Sequence, residues 1–261
     1  MDTRFKLPKV EVVHGRRSVV LERCHDKRVL HLGCVDAGLL EERFARGELM
    51  HQQLASVATE LWGADVDKEG IAFLRAKGFD NLICADICEE GGVRTLSSQQ
   101  FDVILATEVI EHLENPGKFL KAVNRIMVPG RTEFIATVPN AFCINNFINL
   151  VRGLEVVHPD HNYWFSYRTL TTLLRKSGFS VTAVYSYTFE PGSFVKRVNG
   201  NGTKASGSSP ARGGLSTFFK RKTKSVIAEA LYRRSSFWGE GLIATCQVPV
   251  QSNEQSTFET R

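Results

Sequence analysis

The sequence has no Cys-x-x-Cys pair: its six cysteines, Cys24, Cys34, Cys84, Cys88, Cys143 and Cys246, are scattered along the chain. That pattern argues against a zinc knot or a disulfide frame and fits reduced thiols, with Cys84 and Cys88 expected as buried small hydrophobes. No stretch approaches the run of about 18 uncharged apolar residues that a membrane span requires. The N-terminal residues Met1 to Lys6 lead into no apolar signal-peptide core, so a cytoplasmic chain is expected. No internal repeat is visible. What is present is ordinary globular material: 261 residues, 43% hydrophobic and 23% charged, enough to bury a sizeable core as a single domain over residues 1–261.

Positive charge is concentrated rather than spread. Ten Lys or Arg against the single acid Glu229 fall between Phe194 and Arg234, in a chain whose formal net charge is only +5. The remainder is therefore slightly acidic, which argues against a broad nucleic-acid-binding face. Within this segment the run NGNGTKASGSSPARGG reads as a flexible loop over residues 198–214. Residues 215–234 read as a basic helix with Phe218, Phe219, Val226, Ile227 and Leu231 on its apolar side. Such a helix either packs across a sheet with its lysines in water or lies on an anionic membrane surface; the first reading is favoured.

Elsewhere short apolar runs alternate with amphipathic stretches, the pattern of parallel strands joined by crossover helices. Strands are expected at residues 28–32, 61–65, 81–85, 101–106, 133–138, 181–189 and 242–248. One helix is expected from Glu42 to Glu60, with Leu49, Leu54, Val57 and Leu61 near one face. A second follows Asn115-Pro116 and ends before Pro129-Gly130. A third, Tyr167 to Ser177, is capped by Ser166 and stopped by Gly178.

In such a sheet a ligand binds at the carboxyl ends of the strands, where the strand order reverses. Four of those ends carry unusual residues. The first is followed by the small-residue turn Gly33-Cys34-Val35-Asp36-Ala37-Gly38, which lets a ligand approach the backbone. The second ends in Asp65-Val66-Asp67, an acid suited to a ribose diol. The third is followed by Asp86-Ile87, an acid suited to the exocyclic amine of adenine. The fourth runs into Thr107-Glu108-Val109-Ile110-Glu111-His112. Gly33, Val35 and Gly38 have the spacing of a dinucleotide-binding GxGxxG. The middle position must be glycine for a backbone to approach a pyrophosphate, so Val35 argues against a nicotinamide enzyme.

The series VLHLGCVDAG, LWGADVDKEG, LICADICEE and FDVILATEVIEHLENPGKFLKAVNRIMVPG, with FIATVPN and LLRKSGF after it, resembles the class I S-adenosylmethionine-dependent methyltransferases. The likeness is closest to small-molecule members such as the ubiquinone-biosynthesis O-methyltransferases, and it covers roughly residues 28 to 190 and the final strand. It implies an α/β, Rossmann-like doubly wound sheet of seven strands, mostly parallel with an antiparallel last strand and helices on both faces. It also implies S-adenosyl-L-methionine as cofactor, held by Gly33, Cys34, Val35, Asp36, Asp65, Val66, Asp86, Ile87, Thr107 and Glu108. Two residues depart from the family pattern. His31 stands where an acid precedes Leu-Gly, and Val35 replaces a loop glycine; Asp36 is the candidate substitute for the lost acid.

Methyl transfer from a sulfonium is an in-line displacement that needs alignment and a dry pocket. A hydroxyl acceptor gains further from a general base, for which His112 and His161 are the candidates, or from a metal. Glu108, Glu111 and His112 stand at i, i+3 and i+4, so one helical turn would place them on one face. With His161 they resemble the divalent-metal site of small-RNA 2′-O-methyltransferases, which implies Mg²⁺ or Mn²⁺; the alternative is a metal-free loop anchor. His158, next to Pro159, reads as a solvated loop histidine. Residues 139–165, which include Tyr163, Trp164 and Phe165, are expected to cover an acceptor pocket. Three classes stay open: a methyltransferase for a small-molecule acceptor at oxygen or carbon, which is preferred; one for RNA or protein; and a non-catalytic module.

Overall fold

The computed structural model describes residues 4–188 and 235–250. The expected flexible loop at 198–214 and basic helix at 215–234 lie outside the described residues. The described chain runs β1 (Glu11–His14), α1 (Arg16–Cys24), β2 (Arg28–Leu32), α2 (Leu40–Ala45), α3 (Met50–Ala55), β3 (Glu60–Asp65), α4 (Lys68–Ala76), β4 (Leu82–Cys84) and α5 (Glu90–Ser97). It continues through β5 (Val103–Thr107), α6 (Pro116–Ile126), β6 (Glu133–Pro139), α7 (Ile144–Val151), α8 (Tyr167–Lys176), β7 (Ser180–Thr188) and β8 (Gly241–Gln247).

The strands form one sheet in the order β1-β7-β8-β6-β5-β2-β3-β4. Among the described residues it has eight strands where seven were expected; the additional one is β1, parallel to β7 at the edge. Only β8 runs antiparallel, against β6 and β7. The chain moves outward from β2 through β3 to β4 and returns to β5 on the other side of β2. That reversal opens a crevice at the carboxyl ends of β2 and β5, the position where doubly wound sheets bind ligands.

Both faces of the sheet are covered, which explains why its central strands read as continuous apolar runs. Leu30, Leu32, Ile104, Ala106, Phe134 and Ala136 face a core shared with Val93 and Leu96 of α5, Phe119 and Val123 of α6, and Leu170 and Leu174 of α8. The alternating residues Val29, Val103, Leu105 and Ile135 face a second core with Val20 and Cys24 of α1 and Leu54 of α3.

Local signals fix the helix ends. The Asn115 side chain accepts from Lys118 N with Pro116 in the first turn, and Ser166 forms a capping box with Thr169. The single helix expected over 42–60 is instead two, α2 and α3, because Gly47 takes a positive φ of 66° between them. Leu61 belongs to β3. Cys84 and Cys88 are half-buried rather than buried, since Cys84 closes the edge strand β4. Among the described residues no helix is long and apolar enough to cross a membrane.

Candidate active site

The turn after β2 is held by the acid that ends β3. Asp65 accepts from Val35 N through Oδ2 at 2.9 Å and from Asp67 N through Oδ1 at 3.0 Å. Burial pushes its carboxyl pKa upward, against the backbone N–H groups that favour the ionised form. A carboxylate offers about four acceptor positions, so these backbone partners do not exhaust it. Gly33 has φ +68°, and a Cβ there would lie 2.5 Å from Val109 Cγ2. A side chain at position 33 would thus meet the β5 loop across the crevice. Val66, directly after Asp65, leaves its apolar side chain 66% exposed. Asp86 is exposed and accepts from Cys88 N through Oδ1 at 2.8 Å, with Ile87 buried beside it.

Neither departure in the first motif leaves a gap. The Val35 side chain turns into a core of Cys34, Leu49, Ile71, Leu74 and Leu82, and the space for it is made by Gly70 in the first turn of α4. A Cβ at Gly70 would lie 2.8 Å from Val35 Cγ2 and closer still to Cγ1. Both methyls are engaged, so side-chain rotation relieves nothing. Gly70→Ala should therefore lower stability by about 1–2 kcal/mol, the overpacking cost outweighing the gain of about 1 kcal/mol in helix propensity. Adding Val35→Ala should recover most of the loss. A denaturant-melt double-mutant cycle reads the pair, and additive effects would show that the two side chains do not share the space.

His31 is 2% exposed, with Nδ1 3.3 Å from His51 Nδ1 and Nε2 3.4 Å from Thr107 Oγ1. Burial, then the neighbouring His51 and Arg16, hold its pKa well below the usual histidine range. The position that carries an acid in the resembling family is thus a neutral imidazole inside the fold. Asp36 does not stand free as a substitute, because it is ion-paired with Arg43.

The turn after β5 separates the three residues that a regular helical turn would have gathered. Glu108 takes φ +54°, a left-handed conformation that non-glycine residues seldom adopt, and Ile110–His112 is a single 3-10 turn. Glu108 Oε1 receives Thr137 Oγ1 at 2.9 Å, Tyr187 Oη at 3.1 Å and Arg16 Nη1 at 3.1 Å. Glu111 is fully buried, and among the described residues neither of its carboxylate oxygens has a hydrogen-bond partner. Burial first, and then the Glu108 charge, push its pKa up to about 9.

His112 parts from both glutamates and meets the loop at 158–163. Its ring centroid lies 4.5 Å from that of His161 and 5.6 Å from that of His158. A Glu108–Glu111–His112 metal face is therefore corrected: the histidines come together, joined by His158, and the carboxylates do not join them. The residue set does not fit a Mg²⁺ or Mn²⁺ site, since a hard cation wants ionised oxygen donors. Glu108 is engaged by Thr137, Tyr187 and Arg16, and the Glu111 carboxylate is not part of the histidine grouping.

The segment from Asn140 to Phe165 leaves and rejoins the sheet at one point, an isolated bridge between those two residues. It is latched by Asn140 Nδ2 donating to Phe237 O and Gly239 O, both at 2.8 Å. No residue of α7 is buried, and Tyr163 and Trp164 are exposed while Phe165 is buried. Arg16, His51, Gly70, His158 and Tyr187 were not singled out for the site from sequence. Only His158 carried a signal there, its i, i+3 spacing to His161. The others reach the crevice from elements whose placement is set by the sheet order.

A family model described as a methyltransferase domain matches residues 16–184. The chain is 25% identical over 180 residues to the ubiquinone biosynthesis O-methyltransferase of Roseobacter denitrificans, covering 66% of this chain and 68% of that one. It is 36% identical over 61 residues to the mitochondrial ubiquinone biosynthesis O-methyltransferase of Dictyostelium discoideum, covering 23% of this chain and only 18% of that relative. A solved structure of a SAM-dependent methyltransferase from Archaeoglobus fulgidus is similar with a TM-score of 0.50 at 19% identity, covering 89% of this chain and 95% of that one, which speaks to the fold alone.

Proposed function

This chain belongs to the methyltransferase-domain family, and on that premise we propose that it transfers a methyl group from S-adenosylmethionine to a small-molecule acceptor, at oxygen or carbon. The observation that carries the reading is Asp65. Its carboxylate accepts backbone N–H groups from Val35 through one oxygen and from Asp67 through the other, and a carboxylate has further acceptor capacity to offer a vicinal diol. Gly33 gives the small-residue surface beside it, Val66 and Ile87 give apolar surface, and Asp86 has its Oδ2 to offer an amine. Together these groups fit a nucleoside that carries no phosphate.

The cofactor, when bound, supplies a methyl group on a sulfonium leaving group, and the chain has little covalent work to do. Its residues bind, orient and exclude water. Asp65 fixes one end of the ligand and the Gly33 turn its approach. His112 and His161, set edge to face beside the turn, are the groups placed to take a proton from a hydroxyl acceptor. The names of the ubiquinone-biosynthesis relatives favour an oxygen on a small aromatic or quinone-like molecule. The test is a screen of phenolic, quinol, lipid and sugar acceptors for S-adenosylhomocysteine release. Stoichiometric release with a methylated product supports the reading, and release that never exceeds the acceptor-free background counts against it.

A further inference from the structure

We infer that His112, His158 and His161 form a three-histidine site for a divalent transition metal of the zinc class, with both glutamates of the 108–112 turn outside it. One ring nitrogen from each histidine lies within 4.8 Å of the others, in a grouping that contains no carboxylate. The third pair of rings, His158 and His161, has its centroids 5.3 Å apart. A tetrahedral ion with metal–nitrogen bonds of about 2.0–2.1 Å needs its donor nitrogens about 3.3 Å apart. The rings thus close by at most about 1.5 Å on binding, within reach of side-chain rotation, since His158 is exposed and the other two are only half-buried.

The backbone beneath the three rings is fixed by contacts between the turn and the loop. Asn162 N and Tyr163 N both donate to Glu111 O, at 2.8 and 3.3 Å. Asn162 Nδ2 donates to His112 O at 2.8 Å, and Tyr163 Oη to Glu114 O at 2.9 Å. His161 N donates to His158 O at 3.0 Å, closing a turn that sets those two rings side by side. His158 Nδ1 accepts from Asp160 N at 3.3 Å, which fixes the orientation of that ring.

The donor set selects the ion. Three imidazoles suit zinc, cobalt, nickel or iron, whereas magnesium and calcium want oxygen. Three protein ligands also leave a fourth position for water or an acceptor oxygen, the arrangement of catalytic rather than structural zinc. Metal binding stands independently of the methyl-transfer reading. Its use does rest on that reading: an acceptor hydroxyl in the fourth position would lose its proton to solvent more readily, and the histidines would then serve as ligands instead of as a base.

The test is titration of the full chain, prepared free of metal, with Co²⁺. We expect one Co²⁺ per chain, with the intense visible bands of a tetrahedral nitrogen site, no thiolate-to-cobalt charge-transfer band, and displacement by stoichiometric Zn²⁺ but not by millimolar Mg²⁺. His158→Ala, on an exposed loop, should weaken Co²⁺ binding at least 10-fold, while Glu111→Gln, a change of nearly equal shape outside the histidine grouping, should change it less than threefold. No visible bands at tenfold excess Co²⁺ would overturn the inference. So would equal loss on Glu111→Gln and His158→Ala, or displacement by Mg²⁺, each of which would return the site to the carboxylates. A thiolate band would assign the ion to cysteine instead. These readouts involve no turnover, so failure of methyl transfer and failure of metal binding remain separate results.

Discussion

Asp65→Ala is expected to weaken S-adenosylmethionine binding about 100-fold or more. A hydrogen bond to a charged group contributes roughly 1.5–3 kcal/mol, and two such bonds to a ribose diol together correspond to about two to four decades in Kd. The substitution also removes the acceptor for Val35 N and Asp67 N, so the Gly33 turn loses its tether as well as its ligand contact. Asp65→Asn keeps one acceptor oxygen and should fall between wild type and Asp65→Ala. Calorimetric titration with S-adenosylmethionine reads both, with thermal melts confirming that the variants are folded. A change smaller than threefold for Asp65→Ala would remove Asp65 from the binding site.

Acid should destabilise the chain below about pH 6.5, through two histidines beneath that same turn. His51 is 1% exposed, and burial lowers its pKa from 6.5 to about 4; burial, with His51 and Arg16 beside it, also holds the pKa of His31 well below the usual histidine range. His31 faces His51, Thr107 and the charge of Arg16, while His51 packs on Phe79 and against Cys34 and Gly63. Below pH 6.5 the unfolded chain binds protons at these two sites that the folded chain refuses, so their contribution is complete above that value and falls as pH falls, offset in part by Glu111, whose raised pKa favours the folded chain as pH drops over the same range. For His51 the loss runs down to about pH 4 and amounts to about 3 kcal/mol; His31 adds to the slope over the same range. Urea melts from pH 7.5 to 4.5 should show this, and His51→Gln should flatten the curve by about one proton. An unchanged slope in that variant would mean that His51 titrates normally in the folded chain.

The fold was legible because its central strands are buried on both faces. A run such as VILAT or FIATV has no polar alternation to confuse it with a surface strand, and small residues follow where the chain must turn. β1 escaped notice for the opposite reason. Glu-Val-Val-His is a four-residue edge strand, exposed at both ends and only half-buried between, with no apolar run to mark it. The helix over 42–60 was read as continuous because apolar periodicity persists across Gly47, whose positive φ breaks the hydrogen-bond ladder without breaking the spacing.

The strand-end positions of the candidate cofactor residues were legible for a similar reason: Gly33, Asp65 and Asp86 each sit at a strand end that the sheet order places beside the crevice. The turn after β5 was harder to read, since i, i+3, i+4 spacing implies a shared face only in an α-helix. With Glu108 at positive φ and a 3-10 turn after it, the three side chains diverge to an Arg16–Tyr187–Thr137 network, to the interior, and to a histidine cluster. His158 read as a solvated loop residue because the contacts that bring it to His112 span about fifty residues of sequence and depend on Asn162 and Tyr163 finding the Glu111 carbonyl. Val35 shows the converse. Read alone it weakened the glycine motif, yet Gly70 in the next helix makes room for it.

The central claim is that the crevice between the Gly33 turn and the Asp65 and Asp86 strand ends binds an S-adenosyl nucleoside. Calorimetric titration of the full chain with S-adenosylhomocysteine tests it most directly. The account predicts saturable binding of one ligand per chain, lost in Asp65→Ala; no detectable heat at millimolar ligand, or binding undiminished in that variant, would contradict it.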